Sequence, residues 1–191
     1  MVLSSKLWAK VVVIGFLILL VLGFTVPGFI NPTSPTGQEP VPQRMCRTDA
    51  ECYLLCDGKP TNVLCSQNLC QQNSCEEYSP YPWKESGMEI TLRILVEDKT
   101  IQITNLTEER NTYVSVEEGD QVRLFSDNLV LRHVLEKMDV KLTPECLLIE
   151  GNQWCVDATH DLNMSVNGNQ SFAWGDYAPQ DGDSIVITYG S

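Results

Sequence analysis

Glu89-Ile-Thr-Leu-Arg-Ile-Leu-Val96 is the stretch that decides the fold. Ile90, Leu92, Ile94 and Val96 alternate with Thr91 and Arg93, the period of two that a strand with one buried face requires. Asp98-Lys99 reads as a tight turn into Thr100-Ile-Gln-Ile-Thr104, where Ile101 and Ile103 alternate again, so these two runs predict a hairpin. Tyr113-Val-Ser-Val116 and Val122-Arg-Leu-Phe125 flank Glu117-Glu-Gly-Asp120, whose glycine supplies the positive φ a reversal needs, and predict a second hairpin. Between Ser126 and Asp139 the period becomes helical. Leu131, Val134, Leu135 and Met138 share one face, Arg132, His133, Glu136 and Lys137 fall on the polar one, and Ser126 or Asp127 caps the start. Leu162-Asn-Met-Ser-Val166 is a strand ending at Asn167-Gly168, and Ser184-Ile-Val-Ile-Thr-Tyr189 is the last strand, after Asp181-Gly-Asp183. The order strand, strand, helix, strand, strand predicts an α+β domain over residues 88–190, a mixed sheet wrapped over one helix.

Val166-Asn-Gly168, Tyr177, Asp181-Gly-Asp183 and Ile185-Val-Ile-Thr-Tyr189 resemble the ending of β-grasp domains, in particular the transcobalamin-like C-terminal domain. The ending is also similar to the last domain of uncharacterised membrane-anchored archaeal proteins, in which a helix, a Cys-containing loop and this ending follow in order. The resemblance covers residues 113–189 and implies a β-grasp-like mixed sheet over one helix. In transcobalamin-like proteins the matching domain covers a corrinoid held chiefly by a large helical barrel. No such barrel fits in this chain, so cobalamin is not carried over and no cofactor is expected. β-grasp proteins that carry sulfur or modify other proteins act through a terminal Gly-Gly, whereas this chain ends Tyr189-Gly190-Ser191.

Upstream, six of the eight cysteines crowd into 30 residues: Cys46, Cys52, Cys56, Cys65, Cys70 and Cys75. So short a segment cannot bury enough apolar area to offset its chain entropy, and needs a covalent or metal staple. Residues 45–78 are therefore expected to be a small disulfide-rich module. Zinc is the rival, but the cluster lacks a C-x2-C pair and a histidine, and no metal is expected. Six cysteines allow 15 pairings, among which spacing does not choose. Cys46-x-x-Asp49-x-x-Cys52 loosely resembles small secreted inhibitor-like and toxin-like modules, and a stiff structural stalk is an equal reading of the same residues. Cys146 and Cys155 form a separate pair, with Glu150-Gly-Asn152 between them to reverse the chain and allow a structural disulfide.

The compartment follows from the N-terminal residues. Lys6 and Lys10 precede an uncharged stretch over 11–30, which as a helix reaches about 30 Å, the thickness of a bilayer core. By the positive-inside rule residues 1–10 are cytoplasmic, 11–30 form an N-terminal transmembrane helix of signal-anchor type, and all that follows is extracytoplasmic. A cleaved signal is the competing reading, and gives the same topology. Residues 31–44, with four prolines, form an extended Pro-rich linker.

Functional signals are sparse. The net charge of −12 excludes a nucleic-acid partner. Of the two histidines, His133 falls on the polar helix face, and His160-Asp161 adjacency does not orient an imidazole as a triad requires. No nucleotide, metalloprotease, hydrolase or calcium motif occurs, so no catalytic residue is assigned and an enzyme is not expected. Phe172-Ala-Trp-Gly-Asp-Tyr177 places Phe172, Trp174 and Tyr177 in one connection, as a stacking platform for a glycan or protein, or as a seal on the core. Asn105, Asn163 and Asn169 each head a glycosylation sequon, with Asn105 in the most loop-like setting. The sequence thus points to a non-catalytic, single-pass membrane-anchored extracytoplasmic binding protein for an unknown protein or glycan. The alternatives are a cysteine-rich inhibitor-like or receptor-binding module on a β-grasp stand, and an extracytoplasmic thiol-disulfide protein.

Overall fold

The computed structural model describes residues 14–16, 42–103, 111–117 and 119–191. The expected cytoplasmic residues 1–10, most of the membrane segment 11–30 and of the linker 31–44, and Asn105 lie outside the described residues. Among the described residues no helix is long and apolar enough to cross a membrane. Residues 41–191 form one compact unit of α+β class, mostly sheet, and are described by themselves.

The cysteine-rich segment opens with a 3-10 turn, Asp49–Glu51. Two short hairpins follow: β1 (Leu54–Cys56) pairs with β2 (Lys59–Thr61), and β3 (Cys65–Ser66) with β4 (Leu69–Cys70). The six cysteines join as Cys46–Cys65, Cys52–Cys70 and Cys56–Cys75, first to fourth, second to fifth and third to sixth. The pairs span 18 or 19 residues, and each bridge contributes about 3 kcal/mol by restricting the unfolded chain. Cys46, Cys52, Cys65 and Cys70 are themselves the interior of the segment, together with Val63, so sulfur fills the space that aliphatic side chains occupy elsewhere.

Beyond it come β5 (Met88–Val96), β6 (Lys99–Ile101), β7 (Val114–Val116), β8 (Gln121–Leu124), α1 (Leu131–Glu136), β9 (Val140–Leu142), β10 (Cys146–Ile149), β11 (Asn152–Cys155), β12 (Asp161–Val166), β13 (Asn169–Gln170) and β14 (Ser184–Gly190). The main sheet runs β13-β12-β14-β5-β8-β7, with β6 also on β5, and mixes one parallel pair, β5 with β14, with antiparallel neighbours. Ile90, Leu92, Ile94, Val96, Ile185 and Ile187 point to the core, and the alternate residues face away from it, as the period of two demands. A smaller sheet, β11-β10-β9, and α1 supply further core residues: Leu131, Val134, Leu135, Val140, Leu147 and Ile149.

Three local expectations are corrected. The β5–β6 reversal uses Glu97 and Asp98, with φ of 49° and 63°, so Lys99 opens β6 instead of sitting in the turn. Positive φ at both central residues gives the turn the twist of the flanking strands, and it overrides the lack of a glycine. The helix is shorter than Ser126–Asp139 and begins after Val130. Neither Ser126 nor Asp127 caps it: the Val130 N–H donates to His133 Nδ1 at 3.2 Å, and the Leu131 N–H to the Tyr177 carbonyl at 2.7 Å. A side chain of the first turn and one tertiary carbonyl thus take the place of the expected cap. Finally, His133 and Lys137, expected on the solvated face, are buried. The amphipathic reading assumed a helix with one covered side, whereas Lys137 is enclosed by the cysteine-rich segment and His133 meets Tyr81, whose ring stands edge-on at 4.9 Å.

Candidate functional site

The junction of the cysteine-rich segment with α1 is built around Asp49. Its side chain is fully buried, and its carboxylate collects four donors. Oδ1 accepts from Lys137 Nζ at 2.6 Å and from the Cys65 N–H at 2.9 Å. Oδ2 accepts from the Thr112 and Tyr113 N–H groups at 2.9 and 3.3 Å. Lys137 Nζ also donates to the Cys65 carbonyl at 2.5 Å. A charge taken out of water persists only when its hydrogen-bonding capacity is met this fully. Nearby, the buried Tyr113 hydroxyl lies 3.0 Å from the carbonyls of both Asn62 and Tyr81. Burial first, and then the Asp49 charge, push its pKa up. Glu136 closes the junction, accepting from Ser66 Oγ at 2.8 Å and from the Gln67 N–H at 2.5 Å. Asp49 and Lys137 are 88 residues apart, so no local pattern could have paired them; the buried acid inside the Cys-x-x-Asp-x-x-Cys pattern was the one visible signal.

Beside this junction the surface is grooved. One cleft of about 350 Å³ has an apolar floor of Leu135, Val140 and Leu142 and polar walls that include Asn68, Arg132 and Lys141. A second, of about 450 Å³, shares Asn68, Glu136, Asp139 and Lys141 and adds Arg47 and Asn111. Arg132 ties the first cleft to the aromatic connection, since its guanidinium lies 2.6 Å from Asp176. Asp176 belongs to the 3-10 turn Trp174–Asp176, which packs beside α1, and a Cβ added at Gly175 would stand 3.1 Å from Arg132 Cβ.

The three aromatics of that connection do different things. Phe172 is 73% exposed, so it does not seal the core. Trp174 and Tyr177 are half-buried against the core, and Trp174 holds a φ of +47°, a conformation in which a bulky side chain is rare. The Tyr177 hydroxyl donates to Asp183 Oδ2 at 2.7 Å. Its pKa rises to about 12, through desolvation and then this carboxylate. Burial alone would raise Asp183. The Tyr177 hydroxyl, the Gln180 N–H and the Asn167 amide, all donating to it, outweigh burial and hold its carboxyl below the usual range. The Asn-Gly and Asp-Gly-Asp turns are thereby cross-linked.

The remaining site residues are dispersed. Cys146 and Cys155 are bonded and sit directly opposite each other on β10 and β11, with Cα atoms 4.1 Å apart. Among the described residues every cysteine is paired. The sulfurs of Cys46, Cys52 and Cys65 lie within 4.8 Å of one another, all of them engaged in disulfides. His160 is oriented by Asp157, not by Asp161: its Nδ1 lies 3.1 Å from Asp157 Oδ1, and its ring stacks on Tyr189 at 5.4 Å. Donors from Thr159 and His160 hold the Asp157 carboxyl far below the usual range. Asn163 and Asn169 are exposed on β12 and β13.

Comparison with known protein families, curated proteins and solved structures yields no match. Four disulfides indicate an extracellular or otherwise oxidising location.

Proposed function

We propose that this chain is a membrane-anchored, extracytoplasmic, non-catalytic binding protein whose ligand, a protein segment or glycan, lies in the groove between the cysteine-rich segment and α1. The observation that carries the reading is the groove itself. An apolar floor with polar walls is the composition of a recognition site, and among the described residues this one lies where Gln67 and Asn68 of the cysteine-rich segment meet α1 and β9. The disulfides support the compartment. The anchor rests on the uncharged stretch 11–30 and on Lys6 and Lys10.

The sheet domain is read as a β-grasp. Its first long strand, β5, and its last, β14, run parallel at the centre, antiparallel strands flank them, and the connection between them carries α1.

The test is a glycan array and a peptide-display screen with the oxidised unit 42–191, repeated with Lys141→Glu and Arg132→Ala, both exposed positions that line the groove. A ligand whose affinity falls tenfold or more in either variant supports the groove. Binding that neither change alters, and that residues 44–78 retain alone, defeats it in favour of the inhibitor-like reading.

A further inference from the structure

The face of the main sheet turned away from the core offers a site of a different kind. Strand register places Asn163 opposite Thr188, Thr188 opposite Leu95, and Leu95 opposite Thr100, so one row crosses β12, β14, β5 and β6 on that open face. Neighbouring strands lie about 4.8 Å apart, which puts Leu95 about 10 Å along the row from Asn163. A depression of about 230 Å³ lies along it, lined by Asn163, Thr188 and Leu95, with the carboxylates of Asp98 and Asp161 at its rim. Leu95 and Thr188 are half-buried, Asp98 and Asp161 exposed.

Asn163 heads Asn163-Met-Ser165. Strand alternation sends Met164 into the core and turns Asn163 and Ser165 to the same outward face, so the amide and the hydroxyl of the sequon are presented together. The Asn163 Oδ1 accepts from Gln170 Nε2 at 3.3 Å, a contact that does not engage Nδ2, the atom that is modified. At Asn169 the same atom donates to the Asn167 carbonyl at 3.4 Å. The outer edge of β12 pairs with β13 at Ser165 and Val166 and its Met164 carbonyl accepts from the Ser171 N–H at 2.8 Å, so among the described residues Asp161, Leu162 and Asn163 form an open strand edge that a bulky group would shield from pairing with another chain.

We propose that Asn163 is N-glycosylated and that the first sugar of its glycan lies over the Thr188–Leu95 row, covering the open face and the β12 edge. The donor class is a lipid-phosphate-linked oligosaccharide. A bond forms between Asn163 Nδ2 and the sugar C1, the bond from C1 to the lipid phosphate oxygen breaks, the phosphate leaves with the electron pair, and Nδ2 gives up one proton to the transferase. The sugar's apolar face meets Leu95 and the Thr188 methyl group, and its hydroxyls meet Asp98 and Asp161. The inference rests on the extracytoplasmic reading, because donor and transferase act on exported chains.

The experiment is mass spectrometry of the full chain purified from membranes of its own cells, with the disulfides and the peptide containing Asn163 mapped in the same sample. The expected result is a glycan on Asn163 that Ser165→Ala abolishes and Ser165→Thr retains, with nuclear Overhauser contacts from the first sugar ring to the Leu95 methyls. Four disulfides with a bare Asn163 overturn the glycan alone. Free thiols with a bare Asn163 overturn the extracytoplasmic reading as well. A glycan on Asn163 without contacts to Leu95 overturns its placement.

Discussion

Replacing Asp49 tests what holds the cysteine-rich segment to the sheet domain. Asp49→Ala removes the acceptor for Lys137 Nζ and for the N–H groups of Cys65, Thr112 and Tyr113, all inside the folded unit. Breaking a buried ion pair from one side costs about 3–5 kcal/mol, and each orphaned N–H adds to that end of the range. For a unit of this size the loss lowers the melting temperature by on the order of 10 °C. Lys137→Met should cost less, about 2–3 kcal/mol, because three backbone donors still hold the Asp49 carboxylate. The double variant should cost less than the two single costs added, by about 1–3 kcal/mol, since neither charge is then left buried alone. Guanidinium melts at neutral pH with the disulfides intact measure all three. Additivity to within about 0.5 kcal/mol, or a Lys137→Met cost equal to that of Asp49→Ala, would refute a coupled junction.

Further expectations follow from the same geometry. Because the folded state holds the Asp183 carboxyl below its usual range, its stabilisation is complete above the unfolded carboxylate pKa of about 3.9 and is lost as pH falls towards the lower folded value. Asp183→Asn should flatten the acid limb of a stability–pH profile, and an unchanged profile would count against the turn cross-link. His133 is held below its ordinary value by burial and then by Arg132, so it should remain neutral where a free imidazole has begun to protonate, as an NMR titration of its ring carbons would report. Gly87→Ala should destabilise by about 1 kcal/mol or more, since the position has φ +59° and the added Cβ would stand 2.9 Å from Arg123 Cγ; a melt unchanged from wild type contradicts this. The isolated, oxidised fragment 44–78 lacks Lys137, Thr112 and Tyr113, the partners of Asp49, so its Cys65 amide should exchange with solvent far faster than in residues 42–191.

The alternation at Ile90–Val96 and Ile185–Tyr189, the Asn167-Gly168 reversal and the apolar stripe Leu131, Val134, Leu135 and Met138 are local patterns, and each appears in the structure as an element of the expected type. Periodicity is a property of neighbouring residues, so one sequence suffices to read it. The short strand β9 escaped because Val140-Lys-Leu142 is too brief to display a period and continues directly from the helical stripe. The groove, the Asp49–Lys137 pair and the split roles of Phe172, Trp174 and Tyr177 were not legible, because each depends on which distant segment arrives beside it.

By itself, then, the sequence determined the long strands β5, β12 and β14, the helix, the cysteine staples as a class and the α+β architecture, since side-chain period and chain entropy act over a few residues. Only the tertiary structure decided which of 15 pairings joins the six cysteines, that the cysteine-rich segment and the sheet domain form one compact unit, and that His133 and Lys137 face inward. In each case segments far apart in the chain have to meet, and the buried lysine shows it most directly. A charged or polar side chain is placed by the partners that can replace its water, and for Lys137 those partners, Asp49 and the Cys65 carbonyl, lie 88 and 72 residues away along the chain.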